Sequence, residues 1–288
     1  MPLLLVTILM AAAINLGFSE AEKCGMNGLR VVWHNYVAAT FLSISVLLFQ
    51  GIPTGSLHIT AMLSQTPDGM FTYCIIMGVI TGVIYLATFL INQRSIVLCG
   101  PSLTVLVSKL GVMILVLFAS FLWKEPVSLF CYVGIFLACI ALFLFHEEHL
   151  SFSWILPIVF FFGGISELVK KFFTVYGSED YQYLFYSVIF QVCLLFSGVW
   201  LCLQKVPIRL IPREMLLGMA IGGANLGATC CVIQILRELP SSIVFPTMSG
   251  GVIVLTAFVG LVRYQEKLTK TRFIGLVLTM VSLVFMNL

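Results

Sequence analysis

Residues 239–288 read LPSSIVFPTMSGGVIVLTAFVGLVRYQEKLTKTRFIGLVLTMVSLVFMNL. Two long apolar runs flank a short charged hinge at 263–272. Residues 98–145 have the same form: an apolar run holding Gly100-Pro101, a hinge at Trp123-Lys124-Glu125-Pro126, and a second apolar run. Sliding the chain by roughly 141 residues lays Glu125 on Glu266, Gly134 on Gly275, Ser108 on Ser249, Leu98 on Leu239 and Gly82 on Gly223. The matches are few. Weak internal similarity between two apolar halves is nevertheless the pattern of membrane proteins built from repeats.

Composition points the same way. Of 288 residues, 60% are hydrophobic and 9% charged, and the mean hydropathy is +1.11. A water-soluble chain carries about 25% charged residues, so most of the charge a wet surface needs is missing. Apolar runs fill nearly the whole chain, and no polar stretch is long enough for a separate soluble domain. The net charge of +3 and the lack of a basic patch interleaved with aromatics give no reason to expect a nucleic-acid partner. The nine cysteines show no metal-ligand spacing, and most lie inside apolar runs as small core residues; Cys24, at a helix end, is the one expected exposed thiol. The first twenty residues lack the basic start of a signal peptide and are read as a retained first helix.

An all-α polytopic membrane protein follows, with about ten transmembrane helices expected at 2–20, 32–50, 70–92, 95–122, 127–145, 152–174, 183–203, 214–236, 240–262 and 270–287. Trp33, Trp123, Trp154 and Trp200 fall at expected ends, where an amphipathic ring favours the headgroup layer. The chain divides into 1–148 and 149–288, five helices each. An odd number per half makes the second enter from the opposite side, so the repeats are inverted. The loops after helices 1, 3, 5, 7 and 9 hold ten basic residues against four on the other side. By the positive-inside rule the first set is cytoplasmic and both termini are external.

Ten helices in two inverted halves, each with a Glu-containing hinge before its last helix, resemble the drug/metabolite transporter superfamily, and its EamA-type bacterial permeases in particular. The segment Ala13-Ile14-Asn15-Leu16-Gly17-Phe18 is similar to that family's polar first-helix pattern. Lys124-Glu125-Pro126 and Gln265-Glu266-Lys267-Leu268 resemble its Gly-Glu motif, with the Gly replaced. The resemblance covers the whole chain and implies fold and transport, without a substrate. It implies cytoplasmic termini, the reverse of the charge count. The proton-binding Glu of the superfamily's small multidrug branch has no counterpart, because Asn15 stands near that place.

Among side chains that could carry chemistry, Lys109 comes first. On the expected spans it lies near the bilayer midplane, where a lysine costs roughly 2.5–3.5 kcal/mol. It faces a solute in a wet cavity, or snorkels from a helix end that lies elsewhere than expected, or forms a structural pair with Glu167, the one carboxylate deep in an apolar run. Glu167 has a second candidate partner in Lys170 or Lys171, one turn along its own helix. Gly100-Pro101, Gly163-Gly164, Gly222-Gly223, Pro240, Pro246 and Gly250-Gly251 read as backbone breaks lining a site, or as close-packing positions. Asn15, Asn225, Ser108, Ser249, Tyr85 and Thr247 complete the candidate solute-binding set, ahead of Asn92, Gln191 and Gln234. His146-Glu147-Glu148-His149 does not have the HExxH spacing and reads as a solvated linker between the halves.

These observations lead to a secondary transporter in the cell (inner) membrane. It would move a small metabolite by alternating access, tilted by Lys109 toward an amino acid or organic anion. No catalytic residue, cofactor or metal is implied. The expected partners are a small-molecule solute, the lipid bilayer and a second copy of the chain as a homodimer. The alternatives are an intramembrane lipid-modifying enzyme, for which the histidines are too scattered, and a non-transporting sensor, which would have a dry, tightly packed centre.

Overall fold

A computed structural model describes residues 2–62, 64, 66–124, 128–130, 132–137, 140, 154–207, 209–239, 241–263 and 270–286, and among these no strand occurs. The helices are α1 (Pro2–Lys23), α2 (Gly28–Gln50), α3 (Pro67–Cys99), α4 (Pro101–Leu110), α5 (Val112–Trp123), α6 (Ile155–Tyr176), α7 (Gln182–Leu203), α8 (Pro212–Glu238), α9 (Ser241–Arg263) and α10 (Lys270–Met286). Helical residues occur as well within 129–140. The expected hinge at 265–268 and the expected linker between halves lie outside the described residues.

Among the described residues, seven runs are long and apolar enough to cross a bilayer: α1, α2, α3, α4 continued into α5, α7, α8 and α9. The chain is therefore an all-helical, multi-pass membrane protein, in which each span satisfies its backbone hydrogen bonds internally. The apolar run in α10, Phe273–Phe285, is shorter. The helix α6 is long enough, but it carries Glu167, Lys170 and Lys171 within two turns.

Most helix ends agree with expectation, but one boundary moves. The third helix continues through Cys99, and the fourth begins at Pro101 rather than at residue 95. Polar Gln93, Arg94 and Ser95 do not end a helix. The break comes at Gly100, whose φ of +86° is open to glycine, followed by Pro101, which has no N–H to donate. Lys109 thus sits at the ninth position of its helix. A second departure concerns Gly163-Gly164 and Gly222-Gly223. They do not interrupt α6 and α8, which run through them.

Most of these glycines let helices touch. A Cβ on Gly222 would overlap the Asn35 carbonyl of α2, and one on Gly218 would lie 2.6 Å from His34 Cβ. A Cβ on Gly82 would lie 2.8 Å from the Ile189 carbonyl of α7, and one on Gly78 2.7 Å from Val188. Small residues four apart allow such approach in lipid, where apolar burial between helices contributes little. The same occurs between α4–α5 and α6: a Cβ on Gly163 would overlap the Ser108 carbonyl, and one on Gly164 the Gly111 carbonyl. At this crossing α4 passes into α5 through one tightened turn, with Gly111 N donating to Ser108 O at 3.2 Å.

Packing pairs α2 with α7 and α8, α3 with α6 and α7, α1 with α8 and α9, and α4 with α6 and α9. One apolar core gathers α4, α5, α9 and the second half of α8; a second gathers α2, α3 and α7. At one end of the bundle Arg30 holds Glu214 through two contacts, of 2.5 and 2.9 Å, and Glu214 also accepts from Asn27 N at 2.9 Å. Arg263 meets Glu20 there at 3.0 Å. At the other end Tyr181 donates to the Thr54 carbonyl at 3.0 Å, and Arg237 pairs with Glu179.

Cys74, Cys99 and Cys193 are buried and Cys24 is exposed, as expected, but Cys202 is exposed too, because it lies in the last turn of α7.

Adjacent glycines give a test of this packing. Gly222→Ala is expected to lower stability by about 1–3 kcal/mol, because Asn35 and Ala38 block the new methyl. Gly223→Ala, whose Cβ would meet only Leu42 at 4.0 Å, is expected to leave the melt unchanged or raise it by up to about 1 kcal/mol through helix propensity. Thermal melts in detergent read both.

Candidate functional site

A cavity of about 140 Å³ lies where the two apolar cores meet. Its wall follows helical periodicity. From α1 it takes Ala11, Ile14, Asn15 and Phe18, and from α6 Gly163, Ser166, Glu167 and Lys170. From α3 it takes Tyr85, Thr88, Phe89 and Asn92, and from α8 Asn225, Ala228, Thr229 and Val232. Each set has the spacing i, i+3, i+4, i+7, one face of a helix. Ile96 extends the α3 face; Val105, Ser108 and Lys109 close the wall from α4, and Met248 from α9.

The charge sits on the α4–α6 side. Glu167 projects four residues beyond Gly163, so the glycine crossing that brings α4 onto α6 also brings Lys109 to Glu167. The Lys109 Nζ to Glu167 Oε1 distance is 3.4 Å. The second oxygen, Oε2, pairs with Lys170 one turn along α6. Both readings of Glu167 therefore hold at once. Lys170 Nζ also lies 5.9 Å from the Tyr85 ring centroid and 6.0 Å from that of Phe245. Lys171 turns elsewhere, 5.9 Å from the Trp123 ring. Two ammonium groups face one carboxylate in the cavity, which leaves it one positive charge in excess.

Asparagines supply neutral polarity. Asn15 donates to the Ala11 carbonyl at 2.8 Å. Asn225 donates at 3.3 Å to Asn35, which is fully buried. Asn92 Oδ1 is buried in the wall without a hydrogen-bond partner among the described residues, so it can accept from a donor in the cavity. This arrangement suits a small solute with an anionic group, a neutral polar group and an apolar part that lies against Phe18, Phe89 and Val232.

Six of the eight candidate residues line this cavity: Lys109, Asn15, Glu167, Asn225, Ser108 and Tyr85. Ser249 and Thr247 do not. Met248 is the α9 residue in the wall, and its chain neighbours point about 100° to either side of it. Ser249 is buried outside the cavity, and Thr247 donates to its own helix at the Ile243 carbonyl, 2.8 Å. Gln191 likewise bonds Ser187 on α7 at 2.8 Å, and Gln234 is exposed. Sequence reasoning missed Thr88, Ser166 and Thr229, and ranked Lys170 only as an alternative partner of Glu167. The signal that finds them is the i, i+3, i+4, i+7 face running through Glu167 and through Asn225.

No family model matches the chain. A protein of Haemophilus influenzae (strain ATCC 51907 / DSM 11121 / KW20 / Rd) described as uncharacterized is 22% identical to it, over 96% of this chain and 94% of that protein. Among solved structures, a protein crystal structure matches with a TM-score of 0.64 and 13% identity, over 98% of this chain and 94% of that one. That likeness is one of fold, and it spans the whole length.

The excess positive charge is measurable. With native cysteines replaced, Ser166→Cys is expected to react about tenfold faster with an anionic methanethiosulfonate than with its trimethylammonium analogue, each rate normalised to that of free cysteine. Equal rates would mean that Glu167 cancels the field of both lysines.

Proposed function

We propose that the chain is a secondary transporter. It carries a small carboxylate-bearing metabolite, an amino acid or organic anion, across the cytoplasmic membrane by alternating access of one central cavity. The observation that carries this reading is the make-up of that cavity, lined by matched faces from two helix pairs and holding a lysine–glutamate–lysine cluster.

The matching supports two inverted five-helix halves, with the described helical residues within 129–140 belonging to the fifth helix of the first. Gly78 and Gly82 on α3 press on α7 as Gly218 and Gly222 on α8 press on α2. In both cases the second glycine meets a carbonyl, that of Ile189 or Asn35. The contact of α1 with α8 has its counterpart in that of α6 with α3, and α1 with α9 in α6 with α4. The register pairs Gly82 with Gly222, one residue from the alignment drawn on sequence. In repeat-built transporters the solute binds near the midplane between the halves, which rock about it. The resemblance to EamA-type permeases of the drug/metabolite transporter superfamily implies this architecture.

The excess charge supports the substrate class. A carboxylate neutralises it, whereas a cationic solute adds to it. The presence of a cavity reaching Lys109 supports transport over a sensor, for which a packed centre is expected.

A thermal-shift panel of amino acids, organic anions, sugars, nucleosides and cationic drugs tests the reading, because a ligand that binds the folded state raises its melting point. Some carboxylate-bearing solute is expected to stabilise the wild type and not Lys109→Gln. Stabilisation by cations alone, or equal stabilisation of both proteins, would contradict it.

A further inference from the structure

Glu167 has two lysine partners, and they hold it unequally. Lys170 is on the same helix, three residues on, so the backbone of α6 sets that pair; its ammonium is steadied by the rings of Tyr85 and Phe245 at 5.9 and 6.0 Å. Lys109 is on α4. Among the described residues its ammonium meets Glu167 alone, at 3.4 Å, longer than the 2.7–2.9 Å of a well-made charge-assisted hydrogen bond. Both side chains face the cavity. The weaker contact is therefore the one open to exchange.

We infer that Glu167 is a built-in competitor for the solute's carboxylate. It neutralises Lys109 when the cavity is empty and gives Lys109 up when an anion arrives, held back by Lys170. This rests on the reading of the cavity as a solute site and divides the cluster into roles. Lys109 is the residue that binds the solute's anionic group. Lys170 is a positioning residue that acts through Glu167. Glu167 sets specificity: a neutral solute offers Lys109 nothing in exchange, and a cation would have to detach Glu167 from Lys170. The exchange transfers only a counter-ion, so no proton or bond changes hands. Because Lys109 and Glu167 lie on two helices in backbone contact at Gly111 and Gly163, the exchange also removes a link between α4 and α6 whenever the cavity fills.

Benzoate, benzyl alcohol and benzylamine, matched in shape and different in charge, are the probes, with dissociation constants measured on detergent-purified full-length protein. Glu167→Gln leaves two buried lysines without a carboxylate and risks misfolding. The double variant Glu167→Gln with Lys170→Gln keeps the wild-type charge of the cluster while removing the competitor. It is expected to bind benzoate about tenfold more tightly than wild type, because no carboxylate then competes for Lys109. Lys170→Gln alone lets Glu167 turn fully onto Lys109 and is expected to weaken benzoate about tenfold; Lys170→Arg is expected to restore it. Lys109→Gln should abolish the benzoate response, and benzylamine should bind none of the forms. Equal benzoate affinity in wild type and double variant, no benzoate binding to any form, or no rescue by arginine would overturn the inference. The constants are read without flux. If these affinities hold and no solute crosses a membrane, the transporter reading fails and the competitor stands.

Discussion

Glu167 is a carboxylate placed midway along a helix that the rest of the chain surrounds with lipid-soluble runs. A charge there needs a partner, because desolvating it alone costs several kcal/mol. The centre of the molecule is arranged to supply two. Lys170 comes with the helix itself. Lys109 comes only because α4 can approach α6 until their backbones touch, which the bare backbone of Gly111, Gly163 and Gly164 allows. Side chains at those glycines would push α4 outward and strand a buried charge on either side. The glycine crossing and the charge cluster are thus one constraint.

Under the proposed reading of two halves, the skeleton around this cluster is nearly symmetric and its chemistry is not. The faces of α1 and α6 have one spacing, yet Asn15 stands where α6 has Glu167, and Phe18 where it has Lys170. The faces of α3 and α8 share a spacing too, with Tyr85 opposite Asn225 and Asn92 opposite Val232. Packing positions constrain residue size, so Gly78 and Gly82 have counterparts in Gly218 and Gly222. Wall positions face the cavity as well, and there the partners differ: Glu167 meets Lys109 on α4, while Asn15 bonds its own helix. A symmetric frame with one-sided charge is what a carrier of an asymmetric solute needs under the proposed reading.

Seven spans were legible because apolar length is a one-dimensional property, and the Lys109–Glu167 pair because charge in an apolar run is conspicuous at any register. Helix rotation was not legible. Aligning Ser108 with Ser249 assumed that equal position means equal face, but the α9 face turns on Met248, and Ser249 and Thr247 fall to its sides. The boundary at Gly100 was blurred because polar Gln93 and Arg94 interrupt the apolar run without ending the helix, which continues to Cys99. Glycines were ambiguous for a related reason: Gly100 breaks a helix through its positive φ, while Gly163 and Gly222 sit in unbroken helices, and only the neighbour across the interface distinguishes them.

The most direct measurement is flux. Purified wild-type protein and Lys109→Gln would be reconstituted into liposomes loaded with unlabelled solute, and exchange of the same labelled carboxylate-bearing solute from outside would be followed. The account predicts exchange well above empty liposomes for the wild type and none for Lys109→Gln. A solute that binds the cavity tightly in detergent but shows no exchange through the wild type would contradict it.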